Sequence, residues 1–238
     1  MLKHNPDLPA LSAFHPSEYT AALIQVLRIK AATIQGAHVF ELGVGSGVLL
    51  AALGALGAAT LSGVDIEIEA IESSVLLLRG LGYGDAVQLY RGHLWQPVVG
   101  QRFDVITANL PHFPTEHMEI AGRLPTWSKG GHDGRSLLDP FLEGLAEHLA
   151  PGGRAFITHN AFVDLALSRA IVERAGLSLR IAMTTLIYIP DEKLRWITQS
   201  ILSAEQGRSI FRYGTHTFAE LYIVEIGTPG TLNEDASL

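Results

Sequence analysis

Strand-like apolar runs alternate with helix-like patterns along most of this chain, and this alternation limits its fold more than any other feature. Helices are predicted between the first five strands and again after the fifth. This order predicts an α/β protein with a seven-stranded, mostly parallel sheet and helices on both faces. The seven predicted strands are HVFELGVG, ATLSGVDI, AVQLYRG, FDVITANL, RAFITHN, SLRIAMTTLIYI and FAELYIVEI.

The domain boundaries follow from this pattern. Residues 1–35 are predicted to form a helical cap, in which Ser17 caps the first helix. This capping accounts for the nearby His15, Glu18 and Tyr19 more simply than closure of a ligand pocket. The main domain spans residues 36–226, with a helix-and-loop insertion at residues 190–216. The polar, acidic residues 227–238 are predicted to be a flexible tail.

Composition excludes several functions. The chain has 238 residues, no cysteine and a net charge of -7, so disulfides, thiolate metal sites and cysteine nucleophiles are excluded. The acidic balance disfavours nucleic acid as a partner. No signal-peptide pattern is found at the start, and the longest uncharged run is shorter than the roughly 20 residues of a membrane span. A cytoplasmic protein without a membrane segment is predicted.

A glycine-rich turn, Glu41-Leu42-Gly43-Val44-Gly45-Ser46-Gly47, joins the first strand to a helix. Glycines let the backbone approach a ligand closely, and the helix start offers unpaired N–H groups. Asp65 ends the next strand, where a carboxylate can accept hydrogen bonds from ribose hydroxyls. Together these features predict a nucleotide site. The dinucleotide pattern GxGxxG does not fit, because Val48 or Leu50 replaces its third glycine, and this disfavours an NAD-type oxidoreductase.

The ExGxGxG turn resembles motif I of class I S-adenosylmethionine-dependent methyltransferases. This resemblance implies a Rossmann-like fold, S-adenosylmethionine as cofactor, a loop under its methionine moiety and an acid on its ribose. The implied cofactor contacts are Glu41, Gly43, Gly45, Gly47, Asp65, Ile66, His93 and Asn109. His93 stands where the family often has an acid that binds adenine. It either accepts from adenine through a ring nitrogen or only caps its loop.

The sequence ANLPHFP follows the fourth predicted strand and is an unusual strand ending. Proline cannot donate to a sheet and restricts the residue before it, so the strand must stop at this point. If Asn109 Oδ1 and the Leu110 carbonyl each accept one N–H, a planar NH2 group is held with its lone pair oriented. We therefore predict Asn109, Leu110, Pro111 and His112 as catalytic residues.

This segment resembles the (N/D)PP(Y/F) motif of amino-methyltransferases, which include HemK-type protein-glutamine N-methyltransferases and nucleic-acid N-methyltransferases. The segments 130–134 (GGHDG) and 149–153 (LAPGG) favour the HemK type. Three residues depart from the pattern: Leu110 replaces a proline, His112 replaces the aromatic stacker, and His159 replaces a glutamate. The helical docking domain of that type has no counterpart, because only about 35 residues precede the first strand.

His112 can stack on a planar acceptor, accept a proton from it, or be a solvated loop residue; a function is favoured. The same loop, residues 111–135, is predicted to form a lid with Met118 and Trp127. A metal site there is disfavoured against solvated residues; the residues concerned are His112, Glu116, His117, Glu119, His132 and Asp133. Five residues in or beside the insertion could contact a carboxylate-bearing acceptor, but a solvated, salt-bridged face is favoured for them; they are Arg195, Arg208, Arg212, Tyr213 and His216.

The sequence thus predicts an S-adenosylmethionine-dependent methyltransferase that acts on nitrogen. The favoured acceptor is an amino or amide group of a small molecule, amino acid or peptide. The alternatives are a protein glutamine, nucleic acid, and a catalytically silent module that binds cofactor or a partner. Nitrogen is favoured as the methylated atom over oxygen or carbon, which the sequence does not exclude, and the oligomeric state does not follow from the sequence.

Overall fold

The computed structural model describes residues 16–115 and 130–234, and the strands in these ranges form one mixed sheet. The strand order is β3-β2-β1-β4-β5-β8-β6, and β7 pairs with β8. Strands β1 to β5 are parallel, whereas β8 runs antiparallel to β5, β6 and β7. The strands are β1 (His38–Leu42), β2 (Thr60–Asp65), β3 (Val87–Arg91), β4 (Phe103–Ala108), β5 (Leu149–Asn160), β6 (Ser178–Ile189), β7 (Ile210–Tyr213) and β8 (His216–Gly227).

Helices cover the sheet, as the alternating pattern predicts. Their bounds are α1 (Glu18–Ile29), α2 (Ala31–Ile34), α3 (Val48–Ala55), α4 (Ile68–Gly80), α5 (Leu138–His148), α6 (Leu165–Arg174), α7 (Asp191–Leu194), α8 (Gln199–Glu205) and α9 (Pro229–Glu234). Short 3₁₀ turns occupy residues 84–86 and 96–98. Among the residues described, no helix has the length and apolar character to cross a bilayer.

Burial explains why these segments take these forms. In β1 the side chains of Val39, Phe40 and Leu42 are almost completely buried, as expected for a strand covered on both faces. Helix α5 buries Phe141 and Leu145 on one face, at the spacing of a helix that packs on a sheet. At the start of α1, the Ser17 backbone N–H donates to Thr20 Oγ1 at 3.5 Å, and this is one of the two hydrogen bonds of a capping box.

Two regions differ from the sequence predictions. The insertion at residues 190–216 contains α7, α8 and the additional strand β7, so the sheet has eight strands rather than seven. Strand β7 is only four residues long and turns into β8 through Gly214, whose φ is 63°. In the predicted tail, residues 229–234 form α9. Leu232 is buried there, and its carbonyl accepts from Arg180 Nη1 at 2.8 Å.

The strand order reverses between β1 and β4, which is the position where open α/β sheets bind ligands. The chain passes from β1 to β2 on one side of β1, whereas β4 lies on its other side. A crevice therefore forms beyond the carboxyl ends of β1 and β4. Gly43, Asp65, Asn109 and Asn160 end or follow β1, β2, β4 and β5 at this edge. The fold therefore brings the predicted cofactor loop and the predicted acceptor segment to the same place.

Candidate active site

A cavity of about 210 Å³ lies at the carboxyl edge of the sheet. Strand ends, the start of α1 and the insertion all contribute to its wall. All but one of the predicted site residues line it: Glu41, Gly43, Gly45, Asp65, Ile66, His93, Asn109, Leu110, Pro111 and His112.

Gly47 is the predicted site residue that does not line the cavity. It precedes α3 with a φ of 76°, and a Cβ at this position would lie 2.9 Å from Ser74 Cβ. A side chain would therefore collide with α4 and force the backbone into a strained conformation. Gly47 lets two helices pack, and its predicted contact with the cofactor is not supported by its position.

Asp65 is tied to the glycine turn. Gly45 N–H donates to Asp65 Oδ2 at 2.9 Å, and Glu67 N–H donates to Oδ1 at 3.0 Å. Burial raises the pKa of Asp65 above its ordinary value, while these backbone bonds act in the opposite direction. Each carboxylate oxygen keeps lone-pair capacity beyond the bond it already accepts. Asp65 is thus preorganised to accept from a neighbouring diol.

Glu41 is a buried acid on the cavity wall. It is 2% exposed, and its Oε2 has no hydrogen-bond partner among the described residues. Burial, and then repulsion from Asp65, raises the pKa of Glu41 well above its ordinary value. An unsatisfied buried oxygen in a cavity wall indicates a polar ligand. S-adenosylmethionine fits this wall, because it carries both a ribose diol for Asp65 and polar methionine groups.

The loop after β3 forms the other side of this half of the cavity. Gly92 N–H donates to the Asp65 carbonyl at 2.9 Å, and Leu94 has a φ of 49°. A positive φ costs a leucine free energy, and such strain concentrates at ligand sites. The exposed His93 and Ile66 line the cavity at this end. Adenine binding by His93 and simple loop capping both remain compatible with this position.

Asn109, directly after β4, is held from two sides. Thr158 Oγ1 donates to Asn109 Oδ1 at 2.9 Å, and Asn109 Nδ2 donates to Thr20 Oγ1 at 3.3 Å. Both threonines are almost completely buried. The amide orientation is therefore determined before any acceptor binds, and Oδ1 keeps one lone pair for a further donor.

The Leu110 carbonyl is held by His112. His112 Nδ1 lies 2.6 Å from this oxygen, and since a carbonyl only accepts, Nδ1 carries the proton. His112 is 3% exposed, and its Nε2 has no partner among the described residues. Burial lowers the pKa of His112 to about 4, so the ring is neutral with an acceptor lone pair on Nε2. The solvated loop position considered from the sequence is wrong.

The GGHDG segment, residues 130–134, packs against the backbone that follows β4. A Cβ on Gly130 would collide with the Phe113 carbonyl, and one on Gly134 would lie 2.7 Å from the His112 carbonyl. Thr115 N–H donates to the Gly131 carbonyl at 2.9 Å. These glycines are required because the segment packs directly on the backbone that carries the acceptor residues.

Two residues outside the predicted set of site residues also contribute to the site. Asn160, at the end of β5, accepts from the Tyr19 hydroxyl at 2.8 Å and donates to the His112 carbonyl at 3.4 Å. Both Tyr19 and Asn160 line the cavity. Tyr19 belongs to α1; from the sequence, pocket closure was considered for it and helix capping preferred. Only the polar end of β5 offered a signal for Asn160.

His159 does not take the place of a catalytic glutamate. It is completely buried, and it does not line the cavity. Its Nδ1 lies 2.9 Å from the Asn160 carbonyl, and its Nε2 lies 2.9 Å from Ser168 Oγ, which also accepts from Arg135 Nη2. Burial lowers the pKa of His159 to about 3. This residue belongs to a polar network below the site.

Stability should fall in mild acid because of these buried histidines. An unfolded histidine binds a proton below pH 6.5, whereas native His159 stays neutral down to about pH 3. As the pH is lowered from 6.5 towards 3, the contribution of His159 to the free energy of unfolding therefore falls by about 1.4 kcal/mol per pH unit. Urea denaturation of His159→Gln should therefore show a shallower pH dependence than wild type. His216→Gln, at an exposed position, is the control; equal slopes for all three proteins would contradict the assignment.

Part of the predicted lid lies outside the described residues, including Met118 and Trp127. Glu116, His117 and Glu119 of the considered metal cluster also lie there. No group of three potential ligands is close enough to hold a metal ion within the described ranges. Five insertion residues singled out from the sequence are exposed, as expected, and none of these five lines the cavity; they are Arg195, Arg208, Arg212, Tyr213 and His216.

The reversed strand order, the glycine turn beside a strand-end acid and the cavity are typical of class I S-adenosylmethionine-dependent methyltransferases. With the relatives described next, they support an S-adenosylmethionine-dependent methyltransferase. The sequence profile of the family described as ribosomal protein L11 methyltransferase (PrmA) matches residues 17–115.

Individual relatives carry the resemblance to the HemK type. A Methanocaldococcus jannaschii protein, assigned by its name to the protein N5-glutamine methyltransferases, is 29% identical over 183 residues, covering 76% of this chain and 90% of that protein. The release factor glutamine methyltransferase of Gloeobacter violaceus is 31% identical over 147 residues, covering 58% of this chain and 51% of its own length. This chain thus spans about half of the latter and most of the former.

Solved structures support the fold. The structure of the E. cuniculi Mtq2–Trm112 complex, responsible for methylation of the translation termination factor eRF1, has a chain that aligns with a TM-score of 0.59 at 19% identity. The alignment covers 91% of this chain and 99% of that one. The α/β fold predicted from the sequence is confirmed.

Proposed function

We propose that this enzyme methylates the side-chain amide nitrogen of a glutamine in a protein. One observation carries the proposal: two oxygens at the tip of β4, Asn109 Oδ1 and the Leu110 carbonyl, are each fixed by one hydrogen bond. Thr158 fixes the first at 2.9 Å and His112 the second at 2.6 Å. Each oxygen keeps one lone pair, which suits the two N–H groups of a primary amide.

The chemistry follows from this arrangement. When bound, S-adenosylmethionine supplies an electrophilic methyl group on a positively charged sulfur. The lone pair of the amide nitrogen forms a bond to the methyl carbon while the carbon–sulfur bond breaks. The electron pair of the broken carbon–sulfur bond stays on sulfur. The nitrogen then loses one proton, for which neutral His112 Nε2 is the proposed acceptor; a base with a pKa of about 4 suffices for so acidic a proton. Asn109 and Leu110 orient the nitrogen throughout.

The relatives support a protein acceptor. Two of them carry names that specify glutamine methylation, one of a protein and one of release factors. From the sequence alone a small molecule, amino acid or peptide is favoured, because the acceptor motif is altered. The relatives give a small-molecule acceptor no support, so we now favour the alternative. Nucleic acid remains disfavoured by the net charge of -7. The cytoplasm is the proposed location.

Partition of transferred label tests the acceptor class. A cell extract is incubated with the enzyme and S-adenosylmethionine labelled with tritium in its methyl group, and is then divided by filtration, nuclease and protease. We expect the label in the retained fraction, released by protease and resistant to nuclease. Label in the filtrate or release by nuclease would contradict the proposal. The Asn109→Ala variant serves as the blank, since it keeps the cofactor site.

A further inference from the structure

The insertion between β6 and β8 reaches the acceptor side of the active site. Trp196, between α7 and α8, lines the same cavity as Asn109 and His112. In the strand order, β6 and β8 lie beyond β5, on the side away from the cofactor turn after β1. A side chain that enters the cavity from this direction therefore enters next to the acceptor and away from Asp65 and His93.

Two contacts attach the insertion to the connection between β4 and α5, which begins with the acceptor residues Asn109 and Leu110. Ile197 forms an antiparallel bridge with Thr115, three residues after His112. Thr198 Oγ1 donates to the His132 carbonyl at 2.7 Å. Ile197 and Thr198 are each 2% exposed, so the residues that follow Trp196 are firmly packed. The backbone that carries Trp196 is thus anchored to segments that follow the acceptor residues in the chain.

The other rings at this end of the cavity are already packed. The ring of His112 meets Tyr19 edge-on at 5.9 Å between centroids, and Phe113 meets Phe162 in the same way at 5.7 Å. His112 is also locked onto the Leu110 carbonyl. In the part of the chain that the structure describes, no ring packs on the indole of Trp196, which is half-buried. Among the described residues, its face is therefore left for a planar group.

We propose that Trp196 forms the aromatic wall of the acceptor site and packs against the planar amide of the substrate. An amide between Asn109 and Leu110 presents a flat, weakly solvated face, and an indole provides a large flat apolar surface for it. In this arrangement His112 donates to the Leu110 carbonyl, and Trp196 of the insertion, rather than His112, packs on the substrate amide. This inference rests on the proposed acceptor being an amide.

The kinetic test compares variants of the full chain. With a glutamine-bearing protein acceptor, Trp196→Ala should raise the KM for that acceptor about 10-fold, while Trp196→Phe should retain most of the affinity. Affinity for S-adenosylhomocysteine should not change, which also verifies folding. Tyr213→Ala is the matched control, because Tyr213 is an exposed aromatic residue of the same insertion that does not line the cavity. Equal KM values for Trp196→Ala and wild type would overturn the inference.

A binding test separates this inference from the proposed function. The indole N–H signal of Trp196, identified by its loss in Trp196→Phe, is followed by NMR during titration with N-acetylglutamine amide in the presence of S-adenosylhomocysteine. The Trp196 signal should shift, while that of Trp95, which donates to the Phe141 carbonyl in the core, should not. A static Trp196 signal would overturn the inference. If wild type methylates an atom other than a glutamine nitrogen, the proposed function fails, and the KM comparison on that acceptor decides the role of Trp196.

Discussion

Replacing Asn109 by alanine should lower the rate of methyl transfer about 100-fold and leave affinity for S-adenosylhomocysteine nearly unchanged. The variant loses one of the two oxygens that orient the acceptor nitrogen. The other residues predicted to contact the cofactor, Glu41, Gly43 and Asp65, lie on other strand ends and keep their positions. The measurement is single-turnover transfer of labelled methyl, together with calorimetric titration of the cofactor product.

A second variant distinguishes the effect of orienting the Asn109 amide from the effect of removing that amide. Thr158→Val keeps Asn109 but removes the hydroxyl that donates to its Oδ1 at 2.9 Å. We expect a smaller loss of rate, about 10-fold, because the amide of Asn109 can then rotate. Asn109→Ala also leaves buried Thr158 without a partner, so thermal unfolding must verify that both variants fold. Unchanged turnover in Asn109→Ala would remove the proposed amide clamp.

Replacing Asp65 by alanine should weaken binding of S-adenosylhomocysteine about 100-fold. The carboxylate is the expected acceptor for the ribose hydroxyls, and hydrogen bonds to charged groups contribute about 1.5–3 kcal/mol each. The change also removes the acceptor of Gly45 N–H, which lies 2.9 Å from Oδ2, so the glycine turn loses its anchor. Both effects act on cofactor affinity and leave the acceptor oxygens in place.

Glu72→Ala is the matched control for this prediction. Glu72 is exposed on α4, outside the cavity, and its replacement changes the net charge by the same amount. Its affinity for S-adenosylhomocysteine should equal that of wild type. Tight binding by Asp65→Ala, or equal weakening in Glu72→Ala, would contradict the ribose role of Asp65.

The fold could be predicted because local patterns determine it. Buried strands such as β1 and β4 are apolar on both faces, and the glycine turn between β1 and α3 allows only a strand-to-helix connection. Strand β7 escaped prediction because four residues with two exposed polar or aromatic side chains carry no clear alternation. Helix α9 escaped because its single buried anchor, Leu232, lies in a polar sequence.

The site was predictable where chemistry requires particular residue types at a strand end. Asp65 and Asn109 follow strands whose ends meet at one edge, so their proximity was expected. Gly47 stays a prediction, because a glycine that permits helix packing looks the same in sequence as one that approaches a ligand. Tyr19 was assigned to capping rather than to the pocket, and Trp196 was not predicted, because they enter the cavity from α1 and from the insertion. Such contacts depend on tertiary packing, which no local pattern encodes.

The position of the transferred methyl group tests the central claim most directly. The enzyme is incubated with trideuteromethyl-labelled S-adenosylmethionine and its protein acceptor, and the labelled peptide is fragmented in a mass spectrometer. We predict that the label is found on the side-chain nitrogen of a glutamine, and that it disappears when that glutamine is replaced by glutamate. A label on any other atom, persisting after this replacement, would contradict the proposed amide clamp of Asn109 and Leu110.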